Sequence, residues 1–259
     1  MVFKKLKARF GGGTTVDTVV HTPVAQPGGV LDGVVEVVGG EFLQRINFLA
    51  LRLETVVEVE SGDNEYCSTT SFAEQRVTGA FELHPGERRS VPFRFGVPWQ
   101  SPFTTVHGRD LPGVRVGLRT ELDIAGSLDK GDLDPVRIEP TRPQQTILAG
   151  FERAGCRFLR SDVEKGRVPG AEFGFYQEIE FAPPPDLARG LKEVEVSFLA
   201  GPHAMDLLLE GDRRGGFLDA GGDRIVRFTI PYDVLDAHDW AAEMRGHMAE
   251  LARRRGLFG

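Results

Sequence analysis

Through the first half of the chain, apolar residues return at every second position. In "VPFRFGVPWQSP", residues Val91, Phe93, Phe95, Val97 and Trp99 form one row, with Pro92, Arg94, Gly96 and Pro98 between them. Such alternation predicts a strand with one face on a core. Proline cannot donate to a ladder, so Pro92, Pro98 and Pro102 predict an edge strand that runs out into an exit without ladder hydrogen bonds. "VRVGLRTELDI" sets Val114, Val116, Leu118, Thr120, Leu122 and Ile124 against Arg115, Gly117, Arg119, Glu121 and Asp123. Residues 47–59 align Leu49, Leu51, Leu53, Val57 and Val59. Nearer the start, "VDTVVHT" and "VLDGVVEVVGG" flank the turn residues "PVAQPGG". Residues 77–83 and 91–97 read as two strands joined by "HPGERRS", with a turn at Pro85-Gly86.

The pattern changes over residues 125–143, "AGSLDKGDLDPVRIEPTRP", which mix acidic turn residues with Pro135, Pro140 and Pro143. This stretch reads as a connector, with a domain boundary near residue 140. Ile147, Leu148 and Phe151 in "QQTILAGFERAG" predict a short helix that Gly155 ends. Alternation then resumes. "FGFYQEIEF" places Phe173, Phe175, Gln177, Ile179 and Phe181 opposite Gly174, Tyr176, Glu178 and Glu180. "KEVEVSF" aligns Val194, Val196 and Phe198 against Glu193, Glu195 and Ser197, and "DRIVRFTIP" aligns Val226, Phe228 and Ile230. Gln177 is the polar member of an apolar row, so its amide is expected to tie two sheets or two domains together. Trp240, Met244, Met248 and Leu251 predict a C-terminal helix, with Asp236 as N-cap, Gly256 as stop and Arg253 to Arg255 at the negative end of its dipole. The expected fold is mainly β: a sandwich over 1–140, a second over 141–235 that opens with the short helix, and a helix over 236–259 packed on the second sandwich.

A length of 259 residues suits two domains of ordinary size. The formal net charge of −7 argues against nucleic acid as a partner, because phosphate binding calls for a basic stripe. Cys67 and Cys156 are too few for a disulfide framework and read as two buried thiols in a reducing compartment. No apolar run reaches the ~18 residues that span a bilayer. The basic start "MVFKKLKARFGGG" lacks the apolar stretch of a secretory signal, and the expected location is the cytoplasm. Phe3, Leu6 and Phe10 stand at helical spacing among Lys4, Lys5, Lys7 and Arg9, a pattern for docking on the protein body or for weak contact with a membrane surface.

Little in the sequence points to chemistry. His21, His84, His107, His203, His238 and His247 show no local zinc spacing, although His203, His238 and His247 have room to converge in space. Gly11, Gly12 and Gly13 lack the Lys-Ser/Thr pair of a phosphate loop and read as a hinge. Asp129, Asp132 and Asp134 miss the spacing and the distal Glu of a calcium loop and read as a solvated turn between domains. There is no G-x-S-x-G elbow. No catalytic, cofactor-binding or metal-binding residue is nominated, and no cofactor is expected.

Several segments, taken in order, resemble the bacterial sporulation-control family of arrestin-fold proteins. They are Val16, Asp17 and Thr18; Pro27, Gly28 and Val30 through Gly40; and Pro92, Phe93, Phe95, Pro98 and Pro102. Leu122, Asp123, Ile124, Gly126, Asp132 and Asp134 follow, then Gln177, Glu178, Glu180 and Phe181, then Leu191, Lys192, Glu193 and Glu195. The resemblance runs from about residue 14 to about residue 232. It implies two arrestin-like sandwiches in tandem and a non-enzymatic regulator that binds protein partners through sheet edges and loops. Self-association through exposed edges is a further expectation. The rival readings are a membrane-proximal adaptor using the basic N-terminus and, behind it, a small-ligand binder or enzyme built on a β-sandwich.

Overall fold

The computed structural model describes residues 13–22, 24–61, 64–126, 128–211 and 225–253. In chain order the strands of the first half are β1 (Thr15–Val20), β2 (Val30–Val38), β3 (Gln44–Ser61), β4 (Asn64–Thr78), β5 (Phe81–Leu83) and β6 (Arg88–Gly96). The short β7 (Thr105–Val106) and β8 (Arg109–Asp110) precede β9 (Val116–Ile124) and β10 (Lys130–Val136). Helix α1 (Arg142–Arg153) leads into β11 (Arg157–Lys165), β12 (Phe175–Ala182), β13 (Val194–Ala200), β14 (Ala204–Gly211) and β15 (Val226–Pro231). A 3₁₀ turn over Tyr232–Ala237 and helix α2 (Trp240–Arg253) complete the order. The fold is mainly β, with one helix after residue 140 and one at the C-terminal end, as the hydrophobic pattern predicts.

In the first half, a three-stranded sheet ordered β1-β2-β6 faces the β10-β9-β3 portion of a larger sheet. The alternating rows explain the packing. Leu31, Val35 and Val37 of β2 and Phe93 and Phe95 of β6 share one buried cluster with Leu49, Leu51 and Leu53 of β3 and Leu118 and Leu122 of β9. Strand β9 alternates buried and half-buried residues along its whole length. Among the described residues β6 pairs with β2 alone, so the exposed Pro92, opposite Val34, leaves no neighbour without a donor. Val97 still bonds Gly29 and Gly28 through its N–H and carbonyl; past it the chain leaves the sheet, and Trp99 closes on the turn at Gly28. Gly28 holds a φ of +76°, and a Cβ there would stand 2.5 Å from the indole ring.

Two expectations about the strands need correction. The acidic connector is a strand: β10 pairs antiparallel with β9 from Lys130↔Leu122 to Val136↔Val116. Asp132 accepts a hydrogen bond from the Thr18 backbone N–H at 3.0 Å, beside a Thr18–Thr120 hydroxyl contact at 2.6 Å. As an edge strand, β10 buries only Val136, so it shows no apolar row. Residues 77–83 are two strands, because β4 ends at Thr78 and β5 begins at Phe81. The turn at Pro85-Gly86 falls where expected, and it joins two sheets: β5 pairs with β3, and β6 with β2.

In the second half, β11 through β15 form an antiparallel run that continues the larger sheet. Ile179, Phe181, Val194, Val196, Leu207 and Leu209 are buried on the face that receives the helices. Phe151 of α1 stacks on Phe181 with centroids 5.1 Å apart, and His247 of α2 stacks on Phe228 at 4.5 Å. Helix α1 starts where Gln144 Oε1 accepts from the Thr141 N–H at 2.8 Å, with Pro143 in the first turn, where a missing N–H costs nothing. It ends before Gly155, whose φ is +94°.

Helix α2 buries Trp240, Met244, Met248 and Leu251, as their spacing predicts. Its cap is not Asp236, which pairs with Arg142 at 2.5 Å. The 3₁₀ turn moves the helix start three residues on, and Asp239 Oδ1 accepts from the Ala241 and Ala242 N–H groups at 3.2 Å each. Gly256, Arg254 and Arg255 lie outside the described residues, as does the Arg253 side chain.

Both cysteines are free, and they differ. Cys67 on β4 is exposed, against the expectation of a buried thiol, because β4 is exposed along most of its length. Cys156 lies buried with its Sγ 3.4 Å from Met248 Sδ, and burial pushes its thiol up to about 11. A thiol-reactive chromophore is therefore expected to label one cysteine rapidly in the native protein and both in denaturant. Equal native labelling of Cys67 and Cys156 would contradict the packing described.

Candidate functional site

The halves of the chain meet through polar contacts of a definite kind. Strands β3 and β11 run parallel and pair at Glu58↔Glu164. Beside that point, the proline-rich exit of β6 docks on the second half. Gln177 on β12 grips the backbone of Phe103: its Oε1 accepts from Phe103 N–H at 3.0 Å, and its Nε2 donates to Phe103 O at 2.9 Å. The same Nε2 donates to Ser161 Oγ at 3.1 Å. Gln100 repeats the motif at the surface, donating to Gly170 O at 3.3 Å and accepting from Glu172 N–H at 2.7 Å. The expected role of Gln177 as a polar tie is what the structure shows. Beyond Pro98 and Pro102 the chain is free of the sheet, so the Gln100 side chain and the Phe103 backbone are available for these ties.

The face of β11–β14 turned away from the helices carries a dense group of acids. Registry places Asp162 opposite Glu178, and Glu180 opposite Glu195, which stands opposite Glu210. These side chains are withdrawn from water: Asp162 is 4% exposed, Glu178 6%, Glu180 2% and Glu210 2%. Arg160 answers part of the charge, with its Nε 2.6 Å from Glu180 Oε1. Burial, then repulsion from Glu195, Asp162, Glu164 and Glu210, pushes the Glu178 carboxyl up to about 10. Burial and Glu180 push Asp162 up to about 6; burial and a hydrogen bond with Glu65 push Glu58 up to about 7. Alternation separates the two faces of β12 correctly, but it carries no sign that the acidic face is buried as well.

Next to this region lies a cleft of about 700 Å³ between β4 and the segment entering β12. Phe72, Phe173 and Phe175 form its aromatic wall: Phe72 meets both other rings edge-on at 5.3 and 5.4 Å. Arg52 and Lys165 line it together with Glu74 and Glu172, Arg52 pairing with Glu74 at 3.2 Å, and Thr69 and Ser71 line the β4 side. Strand β4 pairs with β3 from Leu49↔Thr78 to Ser61↔Asn64, and among the described residues no strand covers its other edge. The hydrophobic pattern misses β4 because "NEYCSTTSFAEQRVT" has no apolar row. The turn residues 61–64, "SGDN", followed by a run rich in Thr, Tyr, Phe and Val, are the signal that would find it.

Of the scattered residues weighed for chemistry, His238 and His247 do converge, on Glu243, at 3.4 and 3.8 Å, while His203 is not in that group. Asp129 gathers with Glu121 and Asp123 rather than with Asp132 and Asp134. Gly11, Gly12 and the basic segment around Phe3, Leu6 and Phe10 lie outside the described residues. Among the described residues, no helix is long and apolar enough to cross a membrane.

Comparison with known proteins agrees with this architecture. The family model described as SpoOM protein matches residues 3–215. The sporulation-control protein spo0M of Bacillus subtilis strain 168 is 33% identical over 243 residues, spanning 90% of this chain and 92% of that protein. The crystal structure of Spo0M from Bacillus subtilis superposes with a TM-score of 0.82 at 28% identity, covering 94% of this chain and 99% of that one. The chain belongs to the Spo0M family of sporulation-control proteins.

Proposed function

We propose that this chain is a non-enzymatic, arrestin-like scaffold of the cytoplasm that docks protein partners in a bacterial cell-stage or developmental regulatory pathway. The observation that supports the reading is the free edge of β4, fifteen residues long and exposed over most of its length. An unpaired edge presents backbone donors and acceptors in a row, ready to receive an extended segment of another protein by strand addition. The sequence of β4 does little to blunt that edge. Its central stretch, Cys67 to Ala73, has no charge and no proline, the two devices that keep edges from pairing. The aromatic cleft alongside offers a pocket for side chains of the added segment, which is how strand addition gains specificity.

The test is crosslinked affinity capture from the native host with two baits, the natural chain and a T69K/S71K variant that places like charges along the β4 edge. A discrete regulatory protein is expected with the natural bait and at least tenfold less of it with the variant. Equal recovery on both baits, or turnover of a metabolite with no captured protein, would overturn the proposal.

A further inference from the structure

We infer that Glu58, Asp162 and Glu164 form a binding site for one hard divalent cation, calcium in the first place, at the point where β3 pairs with β11. Each of the three offers a carboxylate oxygen, and these oxygens all lie within 4.8 Å of one another. That spacing is of the size that the flexible ~2.3–2.6 Å calcium–oxygen shell accommodates, whereas magnesium at ~2.0–2.1 Å demands a tighter and more regular cage. Carboxylates alone suit a hard cation and not zinc or copper, which seek nitrogen or sulfur.

Acidic groups often gather without an ion, so the case rests on what stands beside the three. Glu178 faces Asp162 across the β11–β12 pair and is only 6% exposed. Its Oε1 has no hydrogen-bond partner among the described residues, and neither does Asp162 Oδ1, on a side chain 4% exposed. A buried acceptor left without a donor is a standing cost, and a buried carboxylate more so, unless positive charge is supplied. The nearby guanidinium, Arg160, is hydrogen-bonded to Glu180 and answers Asp162 and Glu58 only through space. Glu58 in turn hydrogen-bonds the carboxyl of Glu65. Two carboxyl groups approach in that way only with a proton between them or a cation in its place. One divalent ion held by Glu58, Asp162 and Glu164 would partner Asp162 Oδ1 and offset the negative charge that Glu178 and Glu65 add beside it.

The site also has a mechanical consequence. Glu58 belongs to β3, and Asp162 and Glu164 to β11, so a bound ion clamps the parallel contact that joins the first half of the larger sheet to the second. Occupancy would fix the two halves against each other close to the cleft beside β4, a role that does not depend on the scaffold reading.

The test uses the full chain stripped with a chelator and titrated with calcium chloride, and separately with magnesium chloride, by calorimetry and thermal melting. One-site calcium binding is expected, with a melting temperature that rises with calcium and rises less with magnesium. D162N and E58Q should weaken binding at least tenfold, while D123N, in the acidic group on β9, should leave it unchanged. Each of these changes removes a charge from a crowded acidic group, so the variants are expected to fold; E164Q gives a third reading. Absence of both heat and thermal shift by about 10 mM calcium, beyond the range of weak protein calcium sites, would overturn the inference. So would an affinity that D162N and E58Q leave intact, or one that D123N abolishes.

Discussion

Replacing Glu178 with Gln is expected to stabilise the protein in alkaline, chelator-treated buffer by about 2–4 kcal/mol, and to leave stability near pH 5 almost unchanged. The folded state holds the Glu178 carboxyl at about 10, against 4.5 for the free side chain. The folded protein therefore binds more protons than the unfolded chain between those values, and stability falls as pH rises through that window. Full titration of a shift of several units would approach about 1.36 kcal/mol per unit; relaxation and water entry reduce the figure to the range given. Glu195, Asp162, Glu164 and Glu210 are the acids that face Glu178, and Tyr176 shares the site. The substituted amide would keep the shape and lose the charge. Urea denaturation at pH 6 and pH 9 measures the effect: the natural chain should lose stability between the two, and E178Q should lose much less. Parallel losses in the two proteins would show that Glu178 is already ionised and solvated in the native state.

The second large effect is at Gln177. Changing it to Leu keeps most of the volume but leaves the Phe103 N–H and carbonyl without partners beneath a side chain only 2% exposed. Each buried orphan costs about 1–3 kcal/mol, so a loss of about 2–4 kcal/mol is expected by urea denaturation. Gln177→Glu separates the two contacts: a carboxylate can accept from Phe103 N–H but sets a second acceptor against its carbonyl, so its loss should shrink as pH falls and the acid gains a proton to donate. Because this amide joins the β6 exit to β12, both variants should also expose residues 98–104 to proteolysis. A stability change under about 0.5 kcal/mol in Q177L would mean that the tie contributes nothing net.

These two neighbours on β12 also show where reading the chain succeeds and where it stops. A polar residue in an apolar row must find partners, so Gln177 stands out in the sequence, and the tie is there. Glu178 looks like any residue on a solvated face, because alternation reports that two faces differ and not what covers each of them. The strands give the same contrast. Rows such as Leu118, Leu122 and Ile124 of β9 are legible because one side of the strand is buried and the other is not. Edge strands β4 and β10 leave no row, since both of their faces meet water for much of their length. The charged group at Glu58, Asp162 and Glu164 joins residues about a hundred positions apart, a separation at which spacing carries no information.

Sequence alone determined the mainly β class, the rows that build the core, the edge character of β6, both helices and the clamp residue Gln177. All of these follow from short-range rules: the two-residue repeat of a strand, the 3.6-residue repeat of a helix, proline's missing donor and the cost of an unpaired amide. Tertiary structure decided the pairing of β3 with β11, the strand at β10, the shift of the α2 cap to Asp239 and the burial of an acidic face. Each depends on which distant segment arrives alongside, and that choice is made by the packing of the whole chain.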